Sequence, residues 1–459
     1  MPEVARTLRD VIDTLNPHPL IQDAEFEAFY RGEEHIRAVR GQDAARRLQI
    51  GLGKSSETQP YKAFLLGRPG VGKSTELTRL FRMVKDGYQP LRFDVQRELD
   101  ARNFTPFDVV LLMMVRLAEE TKNVTGYAPA ASLIKRLLEW FSEGTETEFS
   151  EIKTAIEASA GIDTKDTWWN KIVSAFVTVK GSLAYNGSRQ QKVVQYKLTR
   201  IDGLIETANS ILRNCNRLLR DYNGKQWLFA GESFDKTGIP SDKQIDLFLV
   251  YGATIFGGLE ANLIFNLPLA LAFGERASEL PSLSKLIIFD TPVYRPDKSP
   301  HKEGRAFVRT ILEARVDPAL FETDQMERLI VASGGNLRDL FSILIEAGVN
   351  ALEEGRERIA EDDVLRVILA WRAQFQSRLG NTQFDPSPVP NERKVERLVE
   401  LYNSPDTSTA LSDDVLRVLL TANAVQQFNG QYWFAVHPLI VEYLKRANLV
   451  PVEALGGAT

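Results

Sequence analysis

The residues between Lys62 and Phe81 read KAFLLGRPGVGKSTELTRLF: a short apolar run, a glycine-rich segment, then apolar residues at helical spacing. From Gly67 to Ser74 the chain fits G-x-x-x-x-G-K-[ST], in the strand–loop–helix setting that this phosphate-binding pattern requires. Each residue type has a physical task. Gly67, Gly70 and Gly72 allow the backbone to turn and to present N–H groups to phosphate oxygens. A helix starting near Lys73 aims the positive end of its dipole at the same oxygens. Lys73 adds a point charge at the β- and γ-phosphates, and Ser74 offers a hydroxyl to Mg²⁺. Gly67, Pro69, Gly70, Val71, Gly72, Lys73, Ser74 and Thr75 are therefore the candidate contacts to ATP.

A Mg²⁺–ATP site also needs a metal carboxylate at the end of a partner strand. The good candidate downstream is WLFAGESFDK, 227–236, where the apolar residues Trp227 to Ala230 end at Gly231, and Glu232 and Asp235 follow with Ser233 between them. LRFDV, 91–95, is another apolar strand; its Asp94 sits inside the strand and reads as a structural neighbour. NLIFNLPLAL, 262–271, is a third buried strand, with Asn266 as a polar residue in an apolar run. KLIIFDTPVY, 285–294, follows, with Asp290 as a strand-end cap. VASGGNLRDLFSILIEAGVNALEEG, 331–355, starts a helix near Asn336, and Leu337, Leu340, Phe341, Leu344, Ile345 and Ala347 give it one apolar face. Arg338 lies in the first turn of that helix, where a positive charge is mildly unfavourable, so a nearby anion would account for it.

GRPGVGKSTEL, WLFAGESFDK, NLIFNLPLAL and SGGNLRDLF occur in the order of the AAA+ fold, and over roughly residues 20–445 the chain resembles its STAND-like and replication-initiator relatives. The resemblance implies an α/β P-loop NTPase with a parallel sheet core, a helical insertion, a helical lid and a C-terminal winged-helix-like domain. In such relatives the second strand ends Asp-Asp/Gly-Leu-Asp-Lys/Arg. Matching Phe234-Asp235-Lys236 to its last three residues makes Glu232 the Mg²⁺ carboxylate and puts Ser233 where many relatives have the glutamate that orients water. A second register puts Gly231 at the aspartate and Glu232 at the water-activating glutamate. The first is preferred because it keeps the Asp-Lys pair in place, with Asp235 as a spare acid. By the same resemblance Asn266 is the first sensor and Arg338 the second, so Glu232, Asn266 and Arg338 are the catalytic candidates. A strand-end Asn satisfied by backbone and an exposed surface arginine are the alternatives. Arg276, ahead of Arg295 and Arg305, is the candidate for an arginine acting in trans. With no well-placed base, hydrolysis is expected to be slow, since positioning and electrostatics carry most of phosphoryl transfer.

These residues need a scaffold, and the composition supplies an ordinary globular one. The 459 residues are 44% hydrophobic and 25% charged, with a net charge of −5, so nothing global points to nucleic acid. Cys215 is the single cysteine, which fits a reducing, cytoplasmic compartment, and the four histidines lack metal-ligand spacing. The N-terminus has no signal-type apolar core. The apolar region 247–274 is interrupted by Gly257-Gly258, Glu260, Asn262, Asn266 and Pro268, so it reads as a buried helix, a turn and a strand rather than a membrane span.

The expected organisation is an N-terminal helical segment (1–45), a nucleotide-binding core (46–295) with an insertion at 120–225, a helical lid (296–378), a linker (379–391), a winged-helix-like domain (392–446) and a tail (447–459). FEAFYRGEEHIRAVR, 26–40, is placed over the adenine pocket by analogy. In the insertion, FVTVKGSLAYNG is a candidate hairpin after Trp168-Trp169. Leu198, Ile201, Ile205, Ala208, Leu212, Cys215 and Leu219 then form a heptad seam, read as one long helix packed on the core or as a partner-binding arm. Arg189, Lys192, Lys197 and Arg200 at its start form a solvated face or an acid-binding end. At the C-terminus, SDDVLRVLLTA with Ser412 as cap, a hairpin turning at Asn429-Gly430 and HPLIVEYLKRA make the winged helix. Its hairpin has aromatics and no Lys or Arg, so a protein-contact or packing role is favoured over DNA.

Three functions follow. The first is an ATP-dependent switch that changes shape or self-associates to control a separate protein effector, which the resemblance would place in bacterial stress or phage defence. The second is a DNA-binding initiator or transposition-type regulator. The third is a nucleotide-binding scaffold without turnover, which Ser233 would favour.

Overall fold

The computed structural model describes residues 3–15, 17–99, 104–142, 200–234, 252–273, 284–380, 389–404, 413–428 and 433–451. The candidate hairpin at 176–187, Trp168-Trp169, Arg189, Lys192, Lys197, Leu198, Asp235, Lys236, Arg276, Ser412 and Asn429-Gly430 lie outside them.

Short helices open the chain: α1 (Leu8–Thr14), α2 (Asp23–Phe29), α3 (Ile36–Arg40) and α4 (Ala44–Leu52). Strand β1 (Lys62–Gly67) leads into α5 (Lys73–Met83), then β2 (Tyr88–Asp94), α6 (Val95–Glu98), α7 (Pro106–Thr125), α8 (Ala131–Ser142) and α9 (Ile201–Asn223). After them come β3 (Gln226–Glu232), α10 (Gly252–Gly258), β4 (Asn262–Pro268) and β5 (Ser284–Ile287). The strands form one five-stranded sheet in the order β2-β3-β4-β1-β5, and β3 pairs in parallel with both β2 and β4. The expected α/β parallel-sheet core is present, with β4 between the strand of the phosphate loop and the strand that ends in Glu232. The strands are apolar on both faces, as a covered parallel sheet requires: β3 is buried from Trp227 onward and β1 from Ala63 onward.

The chain divides into two compact units, one of residues 1–48, 64–80 and 266–459, the other of residues 49–63 and 81–265. In the second, α9 packs on α7, α8 and β3. Of the seam residues described, Ala208, Leu212, Cys215 and Leu219 are fully buried and Ile201 and Ile205 half-buried, so the C-terminal part of the seam is a packing face. Asn209 ties α9 to the turn before β4, donating to the Gly258 carbonyl at 3.0 Å and accepting from the Glu260 N–H at 2.8 Å. The apolar region 247–274 contains α10 and β4, and among the described residues no helix is long and apolar enough to cross a membrane.

The first unit holds α11 (Lys302–Glu313), α12 (Gln325–Ala332), α13 (Leu337–Glu353) and α14 (Glu361–Ser377), so the segment 296–378 is helical as expected. Next come α15 (Asn391–Asn403), α16 (Asp414–Thr421), the antiparallel pair β6 (Val425–Phe428) and β7 (Trp433–Val436), and α17 (Pro438–Arg446). Asp413 caps α16, accepting from the Leu416 N–H at 2.6 Å. Lys394 is buried and donates to the Leu379 carbonyl at 2.9 Å, placing a cation just past the C-terminal end of α14. His437 caps α17 and joins it to the lid. Its Nδ1 accepts from the Leu439 N–H and its Nε2–H reaches the Ser333 carbonyl, both at 3.3 Å, while its ring stacks on Phe375 at 4.3 Å.

Complete burial holds the His437 imidazole well below the usual histidine range. The native state keeps it neutral while the unfolded chain takes up a proton below about pH 6.5, so stability falls as the pH drops through that value, by at most about 1.4 kcal/mol per pH unit. His437→Asn retains a capping oxygen and cannot titrate. Its melting temperature is expected to fall less than that of the wild type between pH 7.5 and 5.5; parallel curves would rule out this role.

Candidate nucleotide-binding site

The segment between β1 and α5 is a loop whose carbonyl oxygens are taken up by groups from elsewhere. Lys73 Nζ donates to the Gly67 and Arg68 carbonyls at 2.7 and 3.1 Å. Asn336 Nδ2 donates to the Pro69 carbonyl at 2.8 Å, and Arg40 Nη1 to the Val71 carbonyl at 3.1 Å. The Gly72 carbonyl accepts the Glu76 N–H at 2.9 Å, opening the helix. A loop held by its carbonyls is left to meet an anion with its N–H groups, beside the positive end of α5. Gly70 (φ 88°) and Gly72 (φ 101°) hold left-handed conformations that a side chain would strain. A methyl at Gly70 would also meet Asn336 Oδ1 at 2.2 Å and Arg338 Cβ at 2.8 Å.

The lid therefore touches the loop directly. Asn336 bonds the Pro69 carbonyl through its amide nitrogen and caps α13 through its amide oxygen, which accepts from the Arg338 and Asp339 N–H groups at 3.1 and 3.2 Å. The helix start expected near Asn336 is its N-cap, and Arg338 stands over Gly70, half-buried, with no side-chain hydrogen bond or ion pair among the described residues. Asn266 lies on β4 and is 1% exposed, with its amide oxygen buried and unpartnered.

The N-terminal segment packs on α5 and the loop. Thr75 Oγ1 accepts from the Leu20 N–H at 3.3 Å. Tyr30 donates to Glu76 at 2.9 Å, and Arg79 joins Glu76, Asp43 and Glu33 at 3.2, 2.8 and 2.6 Å. Burial pushes the Glu76 carboxyl up, against the opposing pull of Arg79 and Arg40. Arg40 also donates through Nε to Thr291 at 3.0 Å, so one buried arginine spans the loop and the segment after β5.

Asp290 differs from its expected part as a strand-end cap. It lies beyond the end of β5, and its carboxylate forms a fully buried ion pair with Arg68 at 2.9 Å. Arg295 and Arg305, weighed as arginines acting in trans, pair within the chain with Glu303 at 3.2 Å and Glu327 at 3.0 Å.

In the other unit, β3 ends at Glu232. A side chain at Gly231 has no room: a methyl there would meet Phe265 and Phe93 at 2.7 Å and Phe234 at 2.9 Å. Glu232 is mostly buried, with Arg92 Nε 3.5 Å from its carboxylate. Asp94 is the last residue of β2, rather than an interior strand residue, and is in register with Glu232. It caps α6, and its Oδ2 accepts from Ser233 Oγ at 2.9 Å. Ser233 itself has φ 63°. The second acid at this strand end comes from β2, which the reading of WLFAGESFDK alone missed; a register between the two strands was needed to see it.

The residues present fit a phosphate group: tethered carbonyls, two left-handed glycines and a lysine in the first helical turn. Ser74 in the first unit and Glu232 in the second each carry oxygens suited to a hard cation, and a cation at Glu232 would compete with Arg92.

No known family profile matches this chain, and no curated protein does. Among solved structures it is similar to Cdc6p from Pyrobaculum aerophilum, with 13% identity and a TM-score of 0.37 over 96% of this chain and 97% of that one. It is also similar to a Walker-type ATPase of Pyrococcus abyssi, with 10% identity and a TM-score of 0.42 over 94% and 99%. For the Aeropyrum pernix ORC2 protein in its ADPNP–ADP complexes the values are 13% and 0.39 over 96% and 98%.

Gly231→Ala is expected to lower stability by about 1–3 kcal/mol through overpacking of the aromatic cluster. Urea denaturation at constant m-value measures it; a variant as stable as the wild type would mean the three rings yield freely.

Proposed function

We propose that this chain is an ATP-binding switch of AAA+ type that hydrolyses ATP slowly and, through nucleotide-dependent changes of shape or self-association, controls a separate protein. The observation that carries the nucleotide reading is the set of tethers on the loop: Lys73, Asn336 and Arg40 occupy its carbonyls, so the backbone is committed to meeting an anion with N–H groups. ATP bound there supplies a γ-phosphoryl group as an electrophile and a Mg²⁺ that spreads its charge. Lys73 would exchange loop carbonyls for phosphate oxygens, and Arg338, without an ion-pair partner beside Gly70, would meet the same charge. Asn266 would satisfy its buried amide oxygen, an acceptor, on a water. Ser74 and Glu232 are the proposed Mg²⁺ oxygens.

Two observations favour Glu232 as the metal carboxylate over the register that gives this place to Gly231. The aromatic cage around Gly231 excludes an acid there, and Asp94 gives Glu232 an acidic neighbour without help from Ser233. Ser233 bonds Asp94, so the position that would orient water is used structurally, which fits slow turnover. The DNA-binding alternative gains little from the hairpin. Its described strands carry no Lys or Arg, and the amide of Gln426 and the backbone of Gln427 bond Gly334 and Asp290.

Lys73→Ala is expected to lower ATP affinity about tenfold to a hundredfold, the worth of one charge-assisted hydrogen bond, with an unchanged circular dichroism spectrum. A folded variant that binds ATP like the wild type would remove the phosphate-loop reading. Glu232→Gln should weaken only the Mg²⁺-dependent part of binding, because a neutral amide is a poorer ligand for a hard cation. The other register expects ATP to be retained at full affinity but not turned over. Titrations with Mg²⁺ and with EDTA, alongside phosphate release, distinguish the two.

A further inference from the structure

Arg68 occupies a variable position of the loop motif and points away from any phosphate role. Its side chain is 1% exposed. Nη1 donates to Asp290 Oδ1 at 2.9 Å, Nε to Asn423 Oδ1 at 3.2 Å, and Nη2 to the Asn423 carbonyl at 3.3 Å. Asn423 follows α16 in a left-handed conformation (φ 59°), two residues before β6. Asp290 is joined to the same hairpin: its N–H donates to the Gln427 carbonyl at 2.9 Å, and its Oδ2 accepts the Gln427 N–H at 3.2 Å. One guanidinium on the phosphate loop thus fixes both ends of the segment 423–427.

One further fact couples this link to the ligand of the loop: the Arg68 carbonyl is one of the two that hold Lys73, so a phosphate that recruits Lys73 acts on the Arg68 peptide itself.

We propose that Arg68 is a latch that transmits the phosphate state of the loop to the C-terminal hairpin β6–β7 through Asp290 and Asn423. The latch rests on the nucleotide reading of the loop. Gln426, which donates to the Gly334 carbonyl at 2.8 Å, holds the hairpin independently, so weakening the latch leaves the hairpin docked.

Amide hydrogen exchange on the full chain, with and without ATP and Mg²⁺, tests this. In the wild type, ATP should slow exchange at 67–75 and change it at 423–428 and 433–436 by about fivefold or more, the lower end of ordinary coupling between sites. Asn423→Gly keeps the left-handed backbone and removes the side-chain acceptor; Asp290→Asn removes the charge. Both should retain the ATP effect at 67–75 and lose most of the effect on the hairpin. If Asp290→Asn does not fold, Asn423→Gly alone decides. A hairpin response of wild-type size in Asn423→Gly overturns the latch. So does a wild type in which ATP protects 67–75 and leaves the hairpin unchanged. A wild type in which ATP protects neither overturns the nucleotide reading beneath it.

Discussion

The carbonyls of the glycine-rich loop after β1 are tied by side chains from elsewhere, and much of the first unit is arranged around those bonds. The oxygens of Gly67, Arg68, Pro69 and Val71 are tied by donors from α5, from the N-cap of α13 and from the end of α3. Each tether brings its own element to the loop. Asn336 fixes where the lid helix begins, and with it Arg338. Arg40 fixes the N-terminal segment and, through Thr291, the chain that follows β5. Sequence-distant elements converge because one short backbone has polar groups that burial would otherwise leave unpaired, at about 1–3 kcal/mol each.

The buried Arg68–Asp290 pair belongs to the same economy of polar groups but contributes differently. Burying two charges costs several kcal/mol per ion, and their attraction repays this only with good geometry and further hydrogen bonds. Here Asn423 and Gln427 supply those bonds. Such a pair is better suited to choosing one arrangement over another than to adding net stability.

What could be read from the residues was whatever rests on local spacing. The glycines of the loop, the helix from Lys73, the cap at Asn336 and the 3,4 seam of α9 are each set by neighbours in sequence, and each appears where the pattern places it. Arg68 and Arg40 carry no local signal because their partners Asp290 and Thr291 are 222 and 251 residues away, and Asp94 reads only as a structural neighbour because Ser233 is 139 residues away. No periodicity announces such pairs. Asp290 looked like a strand cap for the same reason, since nothing local pointed to an arginine inside the glycine loop.

The strand end at Glu232 is fixed by its neighbours on both sides. An acid directly before Glu232 is forbidden by three phenyl rings, and the residue after it is a left-handed serine bound to Asp94. Between those two limits only one position on β3 can present a carboxylate at the sheet edge, and it is glutamate. Parallel pairing places Asp94 beside it in register, so a second carboxylate comes from the next strand rather than the next residue. Arg92, lying over the Phe81 ring and beside Glu232, offsets part of that negative charge. A metal can be favoured there only when it brings more positive charge than Arg92 supplies. A divalent cation does so by its own charge, and a monovalent cation does not.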